Sequence, residues 1–154
     1  AKLTERLDTL IFKSAHINFK VRVYGEKQHD NIRLEVTKLM PQYDFAMIEA
    51  KPYDHSYYPV ENNTVTDNYG VIYREFNFAV LRFKNDNNIQ VNLFDGDTQE
   101  ALAESVSLKD LLTKYKINVE KLQDLTIYIE YKFTDGKVII TVKEWEEEEV
   151  VPGN

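Results

Sequence analysis

The sequence predicts a mostly β protein: an antiparallel β-sandwich of about seven strands with one or two short helices. Three observations carry that prediction. Apolar and polar residues alternate with a period of two through several separate segments, the pattern of strands that put one face into a core. Gly, Asn, Asp and Pro, the residues that favour turns, stand between those segments. The strand-like segments also follow one another directly rather than alternating with helices, which favours hairpin-paired strands over a doubly wound sheet.

The elements follow in order. Residues 1–13 mix charges with Leu3, Leu7, Leu10 and Ile11, a spacing compatible with a short helix or an irregular lead-in. Ile17, Phe19, Val21 and Val23 then alternate with Asn18, Lys20, Arg22 and Tyr24, and Gly25 ends this first strand. Ile32, Leu34 and Val36 alternate with Arg33, Glu35 and Thr37 to give a second. Pro41 breaks the chain, and Tyr43 to Ala50 reads as a third, less regular strand.

Residues 51–69, with Pro52, Pro59, Asn62, Asn63, Asp67 and Asn68, read as a long loop holding short extended pieces. The same loop carries Tyr53, Tyr57, Tyr58 and Tyr69. Val71 to Phe83, apolar on both faces near its end, reads as a central strand. The turn Asn85-Asp86-Asn87-Asn88 joins it to Ile89, Val91 and Leu93, so the two runs read as a hairpin. Residues 98–104 suit a helical turn.

One helix is clear. Ser107 is its N-cap with Asp110 three residues on, and Leu108, Leu111, Leu112 and Tyr115 share a face that must cover an edge or end of the sheet. The chain closes with its cleanest hairpin. Leu125, Ile127, Ile129, Tyr131 and Phe133 lead into Asp135-Gly136, and Val138, Ile140 and Val142 return. Trp145 follows inside an acidic run, Glu144 and Glu146 to Glu149, before a short tail.

Composition bounds the function. A chain of 154 residues is one domain, 1–154, and buries roughly 70% of its unfolded surface without a metal or disulfide staple. There are 26 acidic against 19 basic residues, a formal charge of −7, so a general electrostatic grip on nucleic acid is not the default reading. The absence of Cys excludes disulfides, Cys-ligated zinc and thiol catalysis. No apolar run approaches the roughly 20 residues of a membrane-spanning helix, and no signal peptide opens the chain. A start at Ala1 suits a cytosolic protein that has lost its Met, and equally a mature or excised piece of a longer one.

Catalytic motifs are missing. His16, His29 and His55 have no metal-ligand spacing and read as surface or structural residues. Asp95-Gly96-Asp97 begins like a calcium loop, but position 5 is Gln99 and position 12, which needs a Glu, is Val106, so a strand-end turn is the better reading. No Gly-rich phosphate loop and no G-x-S-x-G elbow occurs. No catalytic, cofactor-binding or metal residue is therefore assigned. The tyrosine loop suits packing or a protein interface better than stacking on sugars or bases. The glutamates beside Trp145 suit a solvated edge that discourages further strand pairing better than a phosphate mimic.

The C-terminal half carries a resemblance. Its order is "FNFAVLRF" at 76–83, "NIQVNLFDGDTQEAL" at 88–102, "SLKDLLTKY" at 107–115, "LTIYIEYKF" at 125–133 and "KVIITVKEWEEEE" at 137–149. It resembles the second domain of the Bacteroidetes fimbrial anchor and minor fimbrial subunit family, and "HINFKVRVYG" and "IRLEVTKLMPQYDF" extend the likeness to the N-terminal half. The resemblance implies a transthyretin-like sandwich, the C-terminal domain of a longer exported protein whose signal and lipidated Cys lie upstream. It implies a structural or adhesive subunit at the cell surface, with other fimbrial subunits as partners, no cofactor, no nucleic acid and no membrane insertion by these residues. The Glu-flanked last strand would then be a blocked edge, fitting for a subunit that ends a polymer. Two other classes stay open from the residues alone: an acidic cytosolic or phage-encoded inhibitor, and a carbohydrate-binding sandwich.

Overall fold

A computed structural model describes residues 16–39, 55–58, 63–66, 68–120 and 124–146. Nine strands and one helix occur among them: β1 His16–Tyr24, β2 Ile32–Leu39, β3 His55–Tyr57, β4 Asn63–Thr66, β5 Ile72–Leu81, β6 Gln90–Asp95, β7 Val106–Ser107, α1 Leu108–Lys114, β8 Thr126–Thr134 and β9 Lys137–Glu144. They form a five-stranded sheet, β4-β5-β1-β8-β9, and a four-stranded sheet, β3-β2-β6-β7. The lead-in 1–13 and the strand expected over Tyr43 to Ala50 lie outside the described residues. Two short extended pieces, β3 and β4, sit inside the 51–69 loop as expected.

The alternation read from the sequence places the core. Ile17, Phe19, Val21 and Val23 of β1 face Ile32, Leu34 and Val36 of β2 and Val91 and Leu93 of β6 in one buried cluster, completed from β8 by Ile127, Ile129 and Tyr131. Phe19 stacks on Phe78 with ring centroids 5.1 Å apart. Each such side chain contributes about 1.5–3 kcal/mol on leaving water, which makes the interior a sandwich filling contributed by both sheets.

Consecutive strands do pair antiparallel, as β2·β3, β4·β5, β6·β7 and β8·β9. The pairing differs from expectation in three places. First, β1 lies at the middle of its sheet, antiparallel to β5 but parallel to β8, with Asn18 opposite Thr126. Second, β5 and β6 are not a hairpin: they belong to different sheets, although β5 is flanked on both sides, by β4 and β1, as a central strand should be. Phe83 and Ile89 are both buried, so the connection enters and leaves the core. Asn85 pins it there, donating to the Ile117 carbonyl at 2.7 Å and accepting from the Val119 N–H at 2.9 Å. Third, residues 98–104 do not wind into a helical turn. Ala101 bridges to Phe94, and the Leu102 N–H donates to the Leu93 carbonyl at 2.9 Å, so the segment runs back beside β6.

The helix and the last turn form for the expected reasons. Ser107 Oγ accepts from the Asp110 N–H at 3.4 Å. Leu108 and Leu112 join the common core rather than covering a sheet edge. The helix ends with Lys116 at φ 57°, the Ile117 N–H reaching the Leu112 carbonyl at 2.9 Å and buried Ile117 packing behind it. Asp135 and Gly136, at φ 49° and 75°, make the two-residue β8–β9 turn. Gly25 is required: its φ is +76°, and a Cβ there would stand 2.3 Å from the Phe133 carbonyl oxygen.

Candidate functional site

The strand registers assemble a surface that the sequence did not reveal, on the solvent side of the five-stranded sheet. Residues of β1 that alternate with the core are Lys20, Arg22 and Tyr24. They stand opposite Asn77, Glu75 and Tyr73 on β5, and opposite Tyr128, Glu130 and Lys132 on β8. Thr141 and Lys143 extend the same rows on β9. The Trp145 N–H donates to the Thr126 carbonyl at 2.8 Å, which continues the ladder one step and lays the indole on this face.

Arg22 is the hub. Its Nε donates to Glu75 Oε2 at 2.7 Å and its Nη1 to the Tyr24 hydroxyl at 3.3 Å. The guanidinium lies 4.4 Å from the Tyr73 ring centre, 5.0 Å from Trp145 and 5.8 Å from Tyr128. Lys20 and Lys143 approach Trp145 at 5.4 and 5.5 Å. Burial alone would raise the Glu75 carboxyl. Hydrogen bonds from Asn77 and Arg22, with the charges of Lys20 and Arg22, outweigh it and hold Glu75 below its ordinary value. Burial also opposes the charge on Arg22, and its bonds to Tyr24 and Glu75 overcome that. Tyr128 is pushed well above the usual phenol range, by burial first and then by its 2.7 Å bond to Glu130. Lys20, Arg22, Lys132 and Lys143 against Glu75 and Glu130 leave this face positive, on a chain whose formal charge is −7. A rigid cationic and aromatic plate of this kind suits docking, through charge and stacking, rather than bond making.

A second feature lies at the end of the sandwich where β1 leaves its sheet. A cleft of about 530 Å³ opens between the 25–29 loop, residues 100–102 and the β8–β9 turn. Phe133, Leu102 and Val138 supply apolar lining, and Glu26, Lys27, Glu100 and Lys137 supply charge. His29 and Asp95 brace its wall. His29 Nδ1 meets Asp95 Oδ2 at 2.5 Å, and Asp95 Oδ1 accepts from the Asp97 and Thr98 N–H groups at 2.7 and 3.0 Å. The backbone bond from Thr98, then His29, then the Asp97 bond hold the Asp95 carboxyl down at about 2, while the bond to Asp95 raises His29. The Asp95-Gly96-Asp97 run is thus a strand-end turn bound by its own backbone.

Among the remaining sequence candidates, His16 opens β1 and His55 opens β3. No group of three or more His, Asp or Glu among the described residues is placed to hold a metal. Tyr53 lies outside the described residues. Tyr58 is half exposed and donates its hydroxyl to Glu35 at 2.5 Å, and Tyr69 is 92% exposed at the tip of the β4–β5 hairpin. The tyrosines of the long loop therefore do not all pack inward. Glu144 closes β9 and Trp145 and Glu146 follow it, while Glu147 to Glu149 lie outside the described residues. No helix among the described residues is long and apolar enough to cross a membrane.

A family model described as fimbrillin-A associated anchor proteins Mfa1 and Mfa2 matches residues 5–151. No curated protein matches the chain. Among solved structures, the fimbrial anchor protein Mfa2 from Porphyromonas gingivalis superposes with a TM-score of 0.52 at 13% identity, covering 85% of this chain and 47% of that one. A candidate adhesin from Bacteroides thetaiotaomicron superposes with a TM-score of 0.59 at 14% identity, covering 85% of this chain and 51% of that one. At such identities the likeness is one of fold, and the chain spans about half the length of these structures.

Proposed function

We infer the role from kinship: the chain belongs to the family of fimbrillin-A associated anchor proteins Mfa1 and Mfa2, and its work is that of a non-enzymatic structural or adhesive subunit of a bacterial surface fimbria. The match over residues 5–151 is the observation that carries this reading, because it spans nearly the whole chain rather than one motif. The surfaces fit it. The cationic plate around Arg22 and the cleft beside the β8–β9 turn are docking surfaces built on rigid strands. The partners are other fimbrial subunits, and the site of action is the cell surface. The chain corresponds to the C-terminal domain of a longer exported protein, with any lipid anchor attached upstream of these residues.

The test is made in native cells. Deleting the gene is expected to release fimbriae into the medium or change their length, and chemical crosslinking is expected to recover fimbrial subunits with the protein. A peptide mass at the native N-terminus is expected to show sequence upstream of Ala1. A chain confined to the soluble cytosolic fraction, with fimbriae unchanged by its loss, would overturn the reading.

A further inference from the structure

The five-stranded sheet has two edges of unequal length. On one, β4 has four residues; on the other, β9 has eight, Lys137–Glu144. The other sheet ends in β3 and β7, of three and two residues. Short edges are poor templates for pairing, whereas an edge of eight residues is a long one. Among the described residues, β8 is the only strand that β9 pairs with. Neither Pro nor a bulge interrupts it: the register runs unbroken from Thr134 opposite Lys137 to Ile127 opposite Glu144.

The direction of its backbone groups follows from one bond. The Trp145 N–H donates to the Thr126 carbonyl. In an antiparallel ladder, hydrogen-bonded pairs recur at every second residue, so Lys137, Ile139, Thr141 and Lys143 bond to β8. Val138, Ile140, Val142 and Glu144 then turn their N–H and C=O groups outward. Ile139 is 51% exposed beside this edge, on the outer face.

We propose that β9 pairs with β9 of a second copy, antiparallel about a twofold axis at Thr141, joining two five-stranded sheets into one continuous sheet. Side-chain complementarity favours that register over the one centred on Ile140. With the axis at Thr141, Ile139 faces Lys143 of the other copy, Lys137 faces Trp145, Thr141 faces itself, and on the core side Ile140 faces Val142. Moving the axis one residue, to Ile140, sets Lys137 opposite Lys143, and like charges directly opposite destabilise a strand pair. The Thr141 register removes that conflict, brings Lys137 over an indole, and places the two exposed Ile139 side chains against lysine stems. The pairing is independent of the fimbrial role proposed above.

Sedimentation velocity on the intact chain tests it. The interface is smaller than a standard one, so the dimer is expected to form with a dissociation constant of roughly 10–500 µM. Ile139→Lys places two Lys–Lys pairs in the seam and is expected to weaken association at least about fivefold. Ile139→Glu replaces them with two Glu–Lys pairs and is expected to strengthen it by roughly three- to tenfold. Ile140→Pro removes an outward N–H without removing a bond to β8, and is expected to abolish the dimer while the thermal melt stays cooperative. A chain that stays monomeric to about 1 mM, well above the expected range, overturns the proposal. So does open-ended polymerisation, or a dimer that responds alike to Lys and Glu at 139. If the proline variant does not fold, the two Ile139 variants decide the matter alone.

Discussion

The two faces of β1 are made from the same nine residues and held by different physics. On the inner face, Ile17, Phe19, Val21 and Val23 are at most 2% exposed and touch apolar neighbours from both sheets. On the outer face, Lys20, Arg22 and Tyr24 are half-buried, and each is held by directed bonds or ring contacts. Burial is indifferent to the identity of the partner, so the inner face tolerates exchange of one apolar residue for another of similar volume. The outer face depends on angle, charge and register, so it carries specificity at smaller energies.

The largest expected effect strikes the inner face. Phe19→Ala removes a ring stacked between Phe78 and Phe83 and is expected to cost about 3–5 kcal/mol in urea unfolding, independent of salt. Arg22→Ala on the same strand is expected to cost about 1–2 kcal/mol, with Arg22→Lys recovering less than half because it loses the planar contact with Tyr73. Added salt should shrink the Arg22 cost and leave that of Phe19 unchanged. Equal salt responses would erase the distinction between the faces.

Two smaller effects sharpen it. Tyr131 is fully buried, and its hydroxyl has no hydrogen-bond partner among the described residues. Tyr131→Phe is expected to leave stability unchanged or raise it by up to about 1 kcal/mol, whereas a loss would mean that the inner face also relies on a directed bond. Last comes the pair at the cleft. His29 is raised above its ordinary 6.5, so its contribution is full below 6.5 and disappears as pH climbs through the raised value. Asp95 is lowered from 3.8 to about 2, so its contribution is full above 3.8 and disappears as pH falls toward 2. This pair's contribution to the melting temperature should therefore be flat between those limits and fall on both sides. His29→Gln should remove the alkaline fall and shrink the acid one, because His29 also helps to hold Asp95 down while the Thr98 and Asp97 bonds remain.

How much of this was legible depended on how far each feature reached along the chain. The alternation in β1, β2 and β8, the Ser107 cap and the Asp135-Gly136 turn are local patterns, and each stands where its residues predicted. The β5–β6 connection misled because Asn85 to Asn88 suits a hairpin turn and an arch between sheets equally well. What decides is Asn85 bonding to residues past the helix, which no local pattern shows. The Arg22 plate was invisible for the same reason: Tyr73 and Trp145 meet it only once β5 and β8 flank β1 in one register. The likeness in the order of segments reached the family when no single residue could.

The place of β1 also has a kinetic consequence. It is the first described strand to leave the ribosome, yet its flank against β8 closes only when Thr126 and the residues after it have been made. Until then β1 has one neighbour in its sheet at most, β5, and the sheet cannot propagate to β9. Contacts so distant in sequence slow the search for the native state. The chain is thus expected to mature late and as a unit, with a long interval during which its alternating strands are open to chaperones.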